Sequence, residues 1–330
     1  MIKVKKNVFL FECKQFGHFN SEPFLLLTDS VFTFIMIQYL YIPKIMYSKR
    51  RRFKMKKAVS LILTLILTFT LFAACGSSSD SSSKESSSAD SDKAYVKGNG
   101  KMIVGITEYK PMNYEENGEL VGFDTEFTKK VCEKLGVEPV FQTIDWDTKE
   151  SLIKAKNIDC IWNGFTVTEE RKKNIDFSKV YLLNKQVLII NSKDKDKYTD
   201  TASLSSAMIS AETDSAGETA IKNDENLSKA SYAASDKQMS ALTQLVAGNY
   251  DAVVLDYTLA KANVGKGDFS DLMIVESISL TNEEYAIGFR KGSDLVPDVN
   301  KAIDELIADG TLKSLAEKYD LLELYEDAVK

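Results

Sequence analysis

The sequence predicts an α/β fold for residues 95–330. Apolar runs of three to five residues alternate along this part of the chain with amphipathic helical patterns. Such alternation is typical of βα units and of parallel-rich sheets. The stretch is also long enough to form two lobes, each with its own core.

Each predicted strand is a short apolar run. The strands are predicted at residues 102–106, 140–144, 158–162, 187–191, 208–211, 252–255, 273–275 and 286–289. Helices are predicted where apolar residues recur every three or four positions. They cover about 125–135, 236–247, 299–307 and 312–319. Asp124 is placed to cap the first helix, and Gly310 separates the last two.

The first 75 residues differ from the rest in charge and pattern. Their net charge is +9, whereas the remainder carries −15. Residues 55–75 have a basic start, an uncharged apolar run and small residues before Cys75, which predicts a secretory signal. The ending resembles a bacterial lipobox, in which the cysteine is lipidated, although Phe72 stands where Leu is usual. An uncleaved anchor is the alternative, and either way the domain lies outside the membrane.

Two segments flank this signal. Because secretory signals begin close to the initiator, we interpret residues 1–54 as an upstream extension from a misassigned start codon. The alternative is a transmembrane hairpin, with the three arginines at 50–52 as its cytoplasmic flank. Residues 76–94 are rich in serine and have no large apolar cluster, so they predict a flexible linker.

Residue types exclude several kinds of site after residue 75. The only histidine is His18, so His-based triads, metal ligands and proton shuttles are excluded there. Cys132 and Cys160 fall in a predicted helix and a predicted strand, and we expect packed thiols. A disulfide between them stays open, because sequence cannot establish its geometry. The charge of −15 argues against nucleic acid, and we expect no metal and no cofactor.

One stretch, DCIWNGFTVTEER at residues 159–171, has the pattern of a buried strand that ends in a turn. Gly164 would let a ligand or another backbone approach closely. Arg171 is one of only two arginines after Cys75, against 28 lysines. Because a guanidinium matches a carboxylate with two parallel hydrogen bonds, the stretch predicts a carboxylate site. A surface arginine in a charged turn is the alternative.

Three runs, at residues 159–181, 121–136 and 306–319, resemble signatures of the extracellular solute-binding proteins of polar amino-acid ABC transporters. The resemblance implies a two-lobed, periplasmic-binding-protein-like fold of type II. Two parallel-rich sheets would face a ligand cleft and be joined by two hinge strands. Lobe 1 would comprise residues 95–186 and 286–330, and lobe 2 residues 187–285. Ligands of open α/β sheets bind at the carboxyl ends of the strands.

The resemblance also implies where the main-chain groups of an amino acid would bind. Arg171 and the Thr166 hydroxyl would hold the α-carboxylate, with backbone groups at Asn163 and Gly164. Asp256, which closes the run DAVVLD, would bind the α-ammonium. As alternatives, Thr166 could be a solvent-facing strand end and Asp256 could cap the helix that follows.

Four further positions complete the implied site. Tyr109 would cover the ligand and Trp146 would line the pocket, although both could simply pack between the lobes. Ser215 and Ala216 would contribute from a loop of the second lobe. In this loop Asp214 stands where the family usually has Gly. Ala216 stands where it has Thr, so its backbone N–H would act alone.

From these expectations we interpret the chain as a lipid-anchored, extracellular or periplasmic amino-acid-binding protein. It would be a monomer that serves amino-acid transport, delivering a polar amino acid to an ABC importer by lobe closure, and it would not be an enzyme. A dehydratase on the same scaffold, with Glu108 or Glu169 as its acid, and a ligand-sensing domain are the alternatives. Glu108, Asp145 and Asp147 would make the pocket edge acidic, which favours polar or cationic ligand side chains.

Overall fold

The computed structural model describes residues 4–5, 8–9 and 91–330. The predicted signal with Cys75, nearly all of the extension before it and most of the linker lie outside the described residues. In the first of two units of the chain, β1 (Val4–Lys5) and β2 (Val8–Phe9) pair antiparallel. None of the helices in residues 91–330 has both the length and the apolar character that a membrane span requires.

Residues 91–330 contain a further twelve strands and nine helices. The strands are β3 (Lys101–Ile106), β4 (Tyr114–Glu116), β5 (Glu119–Val121), β6 (Glu138–Thr143), β7 (Cys160–Ile161), β8 (Ile175–Phe177), β9 (Leu182–Asn191), β10 (Met208–Glu212), β11 (Ser231–Ser235), β12 (Ala252–Asp256), β13 (Leu272–Tyr285) and β14 (Gly288–Arg290). The helices are α1 (Asp92–Asn99), α2 (Phe123–Leu135), α3 (Lys149–Lys154), α4 (Ala216–Asn223), α5 (Gln238–Val246), α6 (Tyr257–Asn263), α7 (Val296–Ala308), α8 (Thr311–Lys318) and α9 (Leu322–Ala328).

The first sheet has the strand order β6-β3-β7-β14-β8. Its strand β3 pairs parallel with β6 and β7, whereas β14 pairs antiparallel with β7 and β8. Met102 and Val104 of β3 are fully buried in one core with Phe127 and Val131 of α2, as the alternating and helical patterns predict. We call residues 92–177 and 288–328 the first-sheet region.

The second sheet has the order β11-β10-β12-β9-β13. The strands β10, β11 and β12 run parallel, and β9 and β13 are antiparallel additions. We call residues 182–285 the second-sheet region. The α/β fold class is thus confirmed, but both sheets are mixed rather than parallel-rich. In the second sheet, β9 and β13 run side by side and antiparallel. Leu182 lies opposite Tyr285, where the chain passes between the two regions.

Several element boundaries differ from the sequence expectations. The predicted linker ends too late, because α1 begins at Asp92 and is capped by the Ser91 side chain. The hairpin β4–β5, the strands β8 and β11, and the helices α3, α4 and α9 were not predicted. Cys132 and Cys160 are free and buried, as expected for packed thiols.

Candidate functional site

One cavity lies between the first-sheet region and the second-sheet region, and its lining includes all nine residues predicted as ligand-binding. The first-sheet region supplies Tyr109, Trp146, Asn163, Gly164, Thr166 and Arg171, and the second-sheet region supplies Ser215, Ala216 and Asp256. Two residues that were not predicted, Glu212 and Gln238, complete the lining. The structure therefore brings these positions together, and their roles in binding stay predictions.

The turn at Gly164 allows the two regions to approach closely. Gly164 has φ +56°, and a Cβ there would lie 2.8 Å from a ring carbon of Tyr285 and 2.9 Å from one of Tyr109. Both the backbone conformation and the space therefore require glycine. The Gly164 N–H donates to Asp124 Oδ2 at 2.7 Å. The predicted contribution of this N–H to a ligand is thus already taken up inside the fold.

Asp124 does not cap α2, contrary to the sequence expectation. The N-cap residue is Gly122, with no side-chain cap bond. Asp124 is fully buried and also accepts a hydrogen bond from the Tyr181 hydroxyl at 3.1 Å. Burial raises the pKa of Asp124 to about 7, against the lowering effect of these two donors. Its side chain holds the Gly164 turn in place, which is a positioning role.

The Asn163 side chain is likewise occupied in shaping the turn. Its Oδ1 accepts hydrogen bonds from the Thr107 N–H at 2.8 Å and from Asn113 Nδ2 at 2.9 Å. Its Nδ2 donates to Thr107 Oγ1 at 2.7 Å. Because the amide is satisfied by the protein, Asn163 fixes the turn to the end of β3.

Arg171 is buried, so the interpretation as a surface arginine is wrong. Its Nη1 donates to the Thr166 carbonyl at 2.8 Å, and its Nη2 reaches the Asp214 carbonyl at 3.3 Å. The guanidinium carbon lies 4.6 Å from the centre of the Phe165 ring. Among the described residues no carboxylate oxygen lies within 4.0 Å of it. Burial lowers the pKa of Arg171, which indicates a cation that lacks a full counter-charge.

Thr166 is also buried, which excludes a solvent-facing strand end. Its Oγ1 donates to Glu283 Oε2 at 3.2 Å, and its backbone forms a β-bridge with Tyr285. The hydroxyl thus connects the first-sheet region to an acid of the second.

The two predicted aromatic residues both line the cavity and pack in the core. The Tyr109 hydroxyl is 2.5 Å from Thr258 Oγ1 and 2.8 Å from the Tyr285 hydroxyl. Trp146 meets the Phe165 ring edge-on, with ring centres 5.7 Å apart. The two interpretations of these residues, ligand contact and packing, are therefore compatible.

Lys149 is a residue that the sequence analysis missed. Its side chain is fully buried, and Nζ donates to the Trp146 carbonyl and the Asp214 carbonyl, each at 3.1 Å. Nζ also pairs with Asp214 Oδ2. Burial, and then the charge of Arg171, lowers the pKa of Lys149. Because Asp214 belongs to the second-sheet region, Lys149 connects the two walls of the cavity.

The loop that carries Ser215 and Ala216 begins with an unusual conformation. Asp214 has φ +57°, the left-handed region where the family usually has Gly. Ser215 is the N-cap of α4, and its Oγ accepts from the Glu218 N–H at 3.1 Å. The Ala216 N–H stands in the first helical turn, where no intrahelical acceptor exists. That N–H remains suited to an anionic group.

Asp256 is the last residue of β12. Its carboxylate accepts hydrogen bonds from side-chain amides and does not cap the following helix, α6. Although Asp256 occupies the N-cap position of α6, it makes no side-chain cap bond. Its Oδ1 accepts from Gln186 Nε2 at 2.7 Å and from Asn184 Nδ2 at 2.8 Å, and its Oδ2 accepts from Gln238 Nε2. The capping interpretation is therefore wrong. Burial raises the pKa of Asp256 against these donors.

Two further buried acids accompany Asp256. Burial and the charge of Asp256 raise the pKa of Glu212 to about 8 and that of Glu283 to about 7. Glu283 is held by Asn184 and Gln186 at 2.9 and 3.1 Å. A signal for Glu212 was available, since an acid directly after the apolar run 208–211 falls at the carboxyl end of a parallel strand.

The acids named from the sequence for the pocket edge lie elsewhere. Glu108, Asp145, Asp147 and Glu169 are exposed, and none of them lines the cavity. The acidic character of the site comes from Glu212 and Asp256 instead. In the part of the chain that the structure describes, no cluster of three or more Cys, His, Asp or Glu side chains is placed to hold a metal ion.

Residues 102–322 match the family of bacterial extracellular solute-binding proteins, family 3. The chain belongs to this family. The resemblance carried by the three sequence signatures is thereby confirmed, together with the type II periplasmic-binding fold.

Named relatives differ in their ligands. The chain is 29% identical to the arginine-binding extracellular protein ArtP of Bacillus subtilis, over 80% of this chain and 98% of ArtP. It is 28% identical to the L-cystine-binding protein TcyJ of Escherichia coli K12, over 68% of this chain and 84% of TcyJ. A crystal structure of an ancestral amino acid-binding protein, a precursor of cyclohexadienyl dehydratase, aligns with TM-score 0.62 and 27% identity, covering 69% and 99% of the two chains.

Proposed function

We propose that this solute-binding protein holds an amino acid between its two sheet regions and delivers it to an ABC importer. One observation carries the proposal. Among the described residues, Arg171 is a buried cation with no carboxylate oxygen within 4.0 Å, Asp256 is a buried acid with no Lys or Arg nitrogen within 4.0 Å, and both line the same cavity. A zwitterion supplies the two charges that these groups lack. The family and the amino-acid ligands named for its members support the same role.

The α-carboxylate would bind between the two regions. Arg171 would offer its guanidinium from one side, and the N–H of Ala216 would donate from the other, at the N-terminus of α4. The α-ammonium would bind Asp256. Tyr109 and Trp146 would exclude water from these polar contacts, which strengthens them.

Binding would be coupled to closure of the two regions about β9 and β13, whose ends lie between the two sheets. The regions already contact each other across the cavity through the hydrogen bond of Tyr109 with Thr258 and the pairing of Lys149 with Asp214. A ligand that bridges Arg171 and Asp256 would add to these contacts and favour the closed form. The permease would then recognise that form.

A thermal-shift screen of the twenty amino acids and cystine tests the proposal. At least one of them should raise the melting temperature in a concentration-dependent way, because a ligand that binds only the folded state stabilises it. No shift with any of them would contradict the proposed function.

A dehydratase on the same scaffold is a second candidate, and Glu212 is the observation that favours it. A buried acid in the cavity with a pKa of about 8 could donate a proton. Incubation with prephenate separates the two candidates, since product formation would select the enzyme. A stabilising amino acid with no turnover would select the binding protein.

We propose that the mature protein begins at Cys75, carries lipid there and acts as a monomer on the outer face of the membrane. The apolar signal of residues 55–75 and the serine-rich stretch after it support this. The intact mass of the native protein should correspond to a lipidated chain from Cys75. A native chain that retains residues 1–54 would contradict both the anchor and the misassigned start.

A further inference from the structure

Glu212 has an unusual environment for a glutamate. It closes β10, is only 6% exposed and lines the cavity. No Lys or Arg nitrogen lies within 4.0 Å of its carboxylate among the described residues. The Gln238 amide is its side-chain donor, and that amide also donates to Asp256 Oδ2. A buried carboxylate without a cation beside it is costly unless something supplies the missing charge.

The charges around the cavity indicate which charge a ligand would have to supply. Its lining contains one cation, Arg171, and two acids, Glu212 and Asp256, so the charges sum to −1 when both acids are ionised. Lys149 does not change this balance, because it is paired with Asp214. A neutral zwitterion satisfies Arg171 and Asp256 and leaves Glu212 uncompensated. An amino acid with one additional positive charge brings the site to neutrality, and an acidic amino acid makes the imbalance worse.

We infer that Glu212 binds the positively charged end of the ligand side chain, so that the ligand is a basic amino acid carrying a guanidinium or ammonium group. This inference rests on the proposed function and names its substrate class. It assigns the side-chain specificity to a residue in the second-sheet region, across the cavity lining from the first-sheet residue Arg171.

The titration of Glu212 agrees with this arrangement. Burial and the neighbouring Asp256 raise the pKa of Glu212, while Lys149 and the Gln238 amide oppose the rise and Asp236 adds to it. A bound cation favours the carboxylate form and lowers that pKa. Binding of a basic amino acid should therefore release protons when the pH lies near or below 8.

Two pairs of ligands isolate the side-chain charge at nearly constant shape. Arginine is compared with citrulline and lysine with norleucine, by calorimetric titration of the full chain and of Glu212→Gln. The wild type should bind the cationic member of each pair roughly 10- to 100-fold more tightly, as expected for a hydrogen-bonded charge pair. In Glu212→Gln, the two ligands of each pair should bind with nearly equal affinity. A single cooperative melting transition of Glu212→Gln without ligand would show that the variant still folds.

Each other outcome overturns the inference in a distinct way. Wild-type protein that binds citrulline, norleucine or glutamine at least as tightly as arginine and lysine refutes the basic ligand but leaves amino-acid binding intact. A cationic preference that survives in Glu212→Gln refutes the assignment to Glu212. Absence of binding by every amino acid would remove the proposed function, and the inference with it.

Discussion

Arg171 and Arg290 are equally buried, each with 8% of its surface exposed, but their surroundings are opposite. Arg290 donates to Asp92 at 2.8 to 3.0 Å through Nε and Nη2, and its Nη2 lies 3.3 Å from Asp159 Oδ1. Its Nη1 donates to the Ile158 carbonyl at 2.6 Å. Within residues 91–330, the guanidinium of Arg171 contacts two backbone carbonyls, those of Thr166 and Asp214, and the Phe165 ring.

The pKa values of Arg171 and Arg290 differ in line with their surroundings. Burial disfavours the charged form of both side chains. At Arg290 the hydrogen bonds and charges of Asp92 and Asp159 outweigh burial, and the pKa is raised. At Arg171 burial dominates, and the pKa is lowered. The paired arginine therefore joins α1 and two strands of the first sheet, whereas the unpaired arginine is available to an anion from outside.

The largest effect on stability is expected at Arg290. Arg290→Met leaves Asp92 and Asp159 buried without their cation, so the free energy of unfolding should fall by ~3–5 kcal/mol. Chemical denaturation measures it. Lys291→Met is the matched control, because its partner Asp176 and its own side chain are partly exposed, and it should change stability by less than ~1 kcal/mol. Equal losses in both variants would show that Arg290 is not a structural centre.

At Arg171 the loss should appear in binding. Arg171→Ala is expected to weaken amino-acid affinity roughly 10²- to 10³-fold, since the ligand carboxylate would be buried without its cation. Arg171→Lys keeps the charge but not the planar donor pair, so it should recover only part of the affinity. Titration calorimetry with the free amino acid and with its α-amide makes the measurement. The α-amide should bind the wild type poorly, and an affinity within a few-fold of that of the free acid would place the carboxylate site elsewhere.

Two buried acids near Asp256 should make the stability of the protein depend on pH. The folded-state pKa values of Glu212 and Glu283 are raised to about 8 and about 7 from 4.5. The folded protein therefore binds more protons than the unfolded chain between these limits, and its stability should fall as the pH rises from 5 to 8. Denaturation without ligand at several pH values measures the slope. Glu212→Gln should flatten it, and an unchanged slope would show that Glu212 is not the titrating group.

The smallest of these effects is expected at Lys149, which fixes the loop of Asp214. Lys149→Met should weaken amino-acid binding roughly tenfold, because one charge-assisted contact between the cavity walls is lost while the partly exposed Asp214 remains solvated. Lys172→Met removes a comparable pairing with Glu169 at the surface and should leave affinity unchanged. If both variants bind equally well, Lys149 does not position the loop.

The sequence pattern predicted the α/β class, and it singled out Gly164 and Arg171 because they lie in a turn after a strand. The other predicted ligand-binding positions were implied by the resemblance to the solute-binding family, and all nine line the cavity. Lys149 and Glu212 had weaker signals. Nothing near Lys149 indicates burial, which results from a contact with Asp214, 65 residues away. The end of the linker was misplaced for the same reason, since α1 is held by Arg290, 198 residues from Asp92. Asp124 was misread because Gly164, not its own helix, determines where its side chain binds.

The free energy of unfolding of Arg171→Met without ligand, measured beside that of Arg290→Met, tests whether Arg171 serves ligand binding or the fold. An unpaired buried cation contributes little to the fold and costs desolvation, so Arg171→Met should be as stable as the wild type or slightly more stable. The same variant should lose the response of its melting temperature to the amino acid. A loss of stability as large as that of Arg290→Met would show instead that Arg171 is a structural residue.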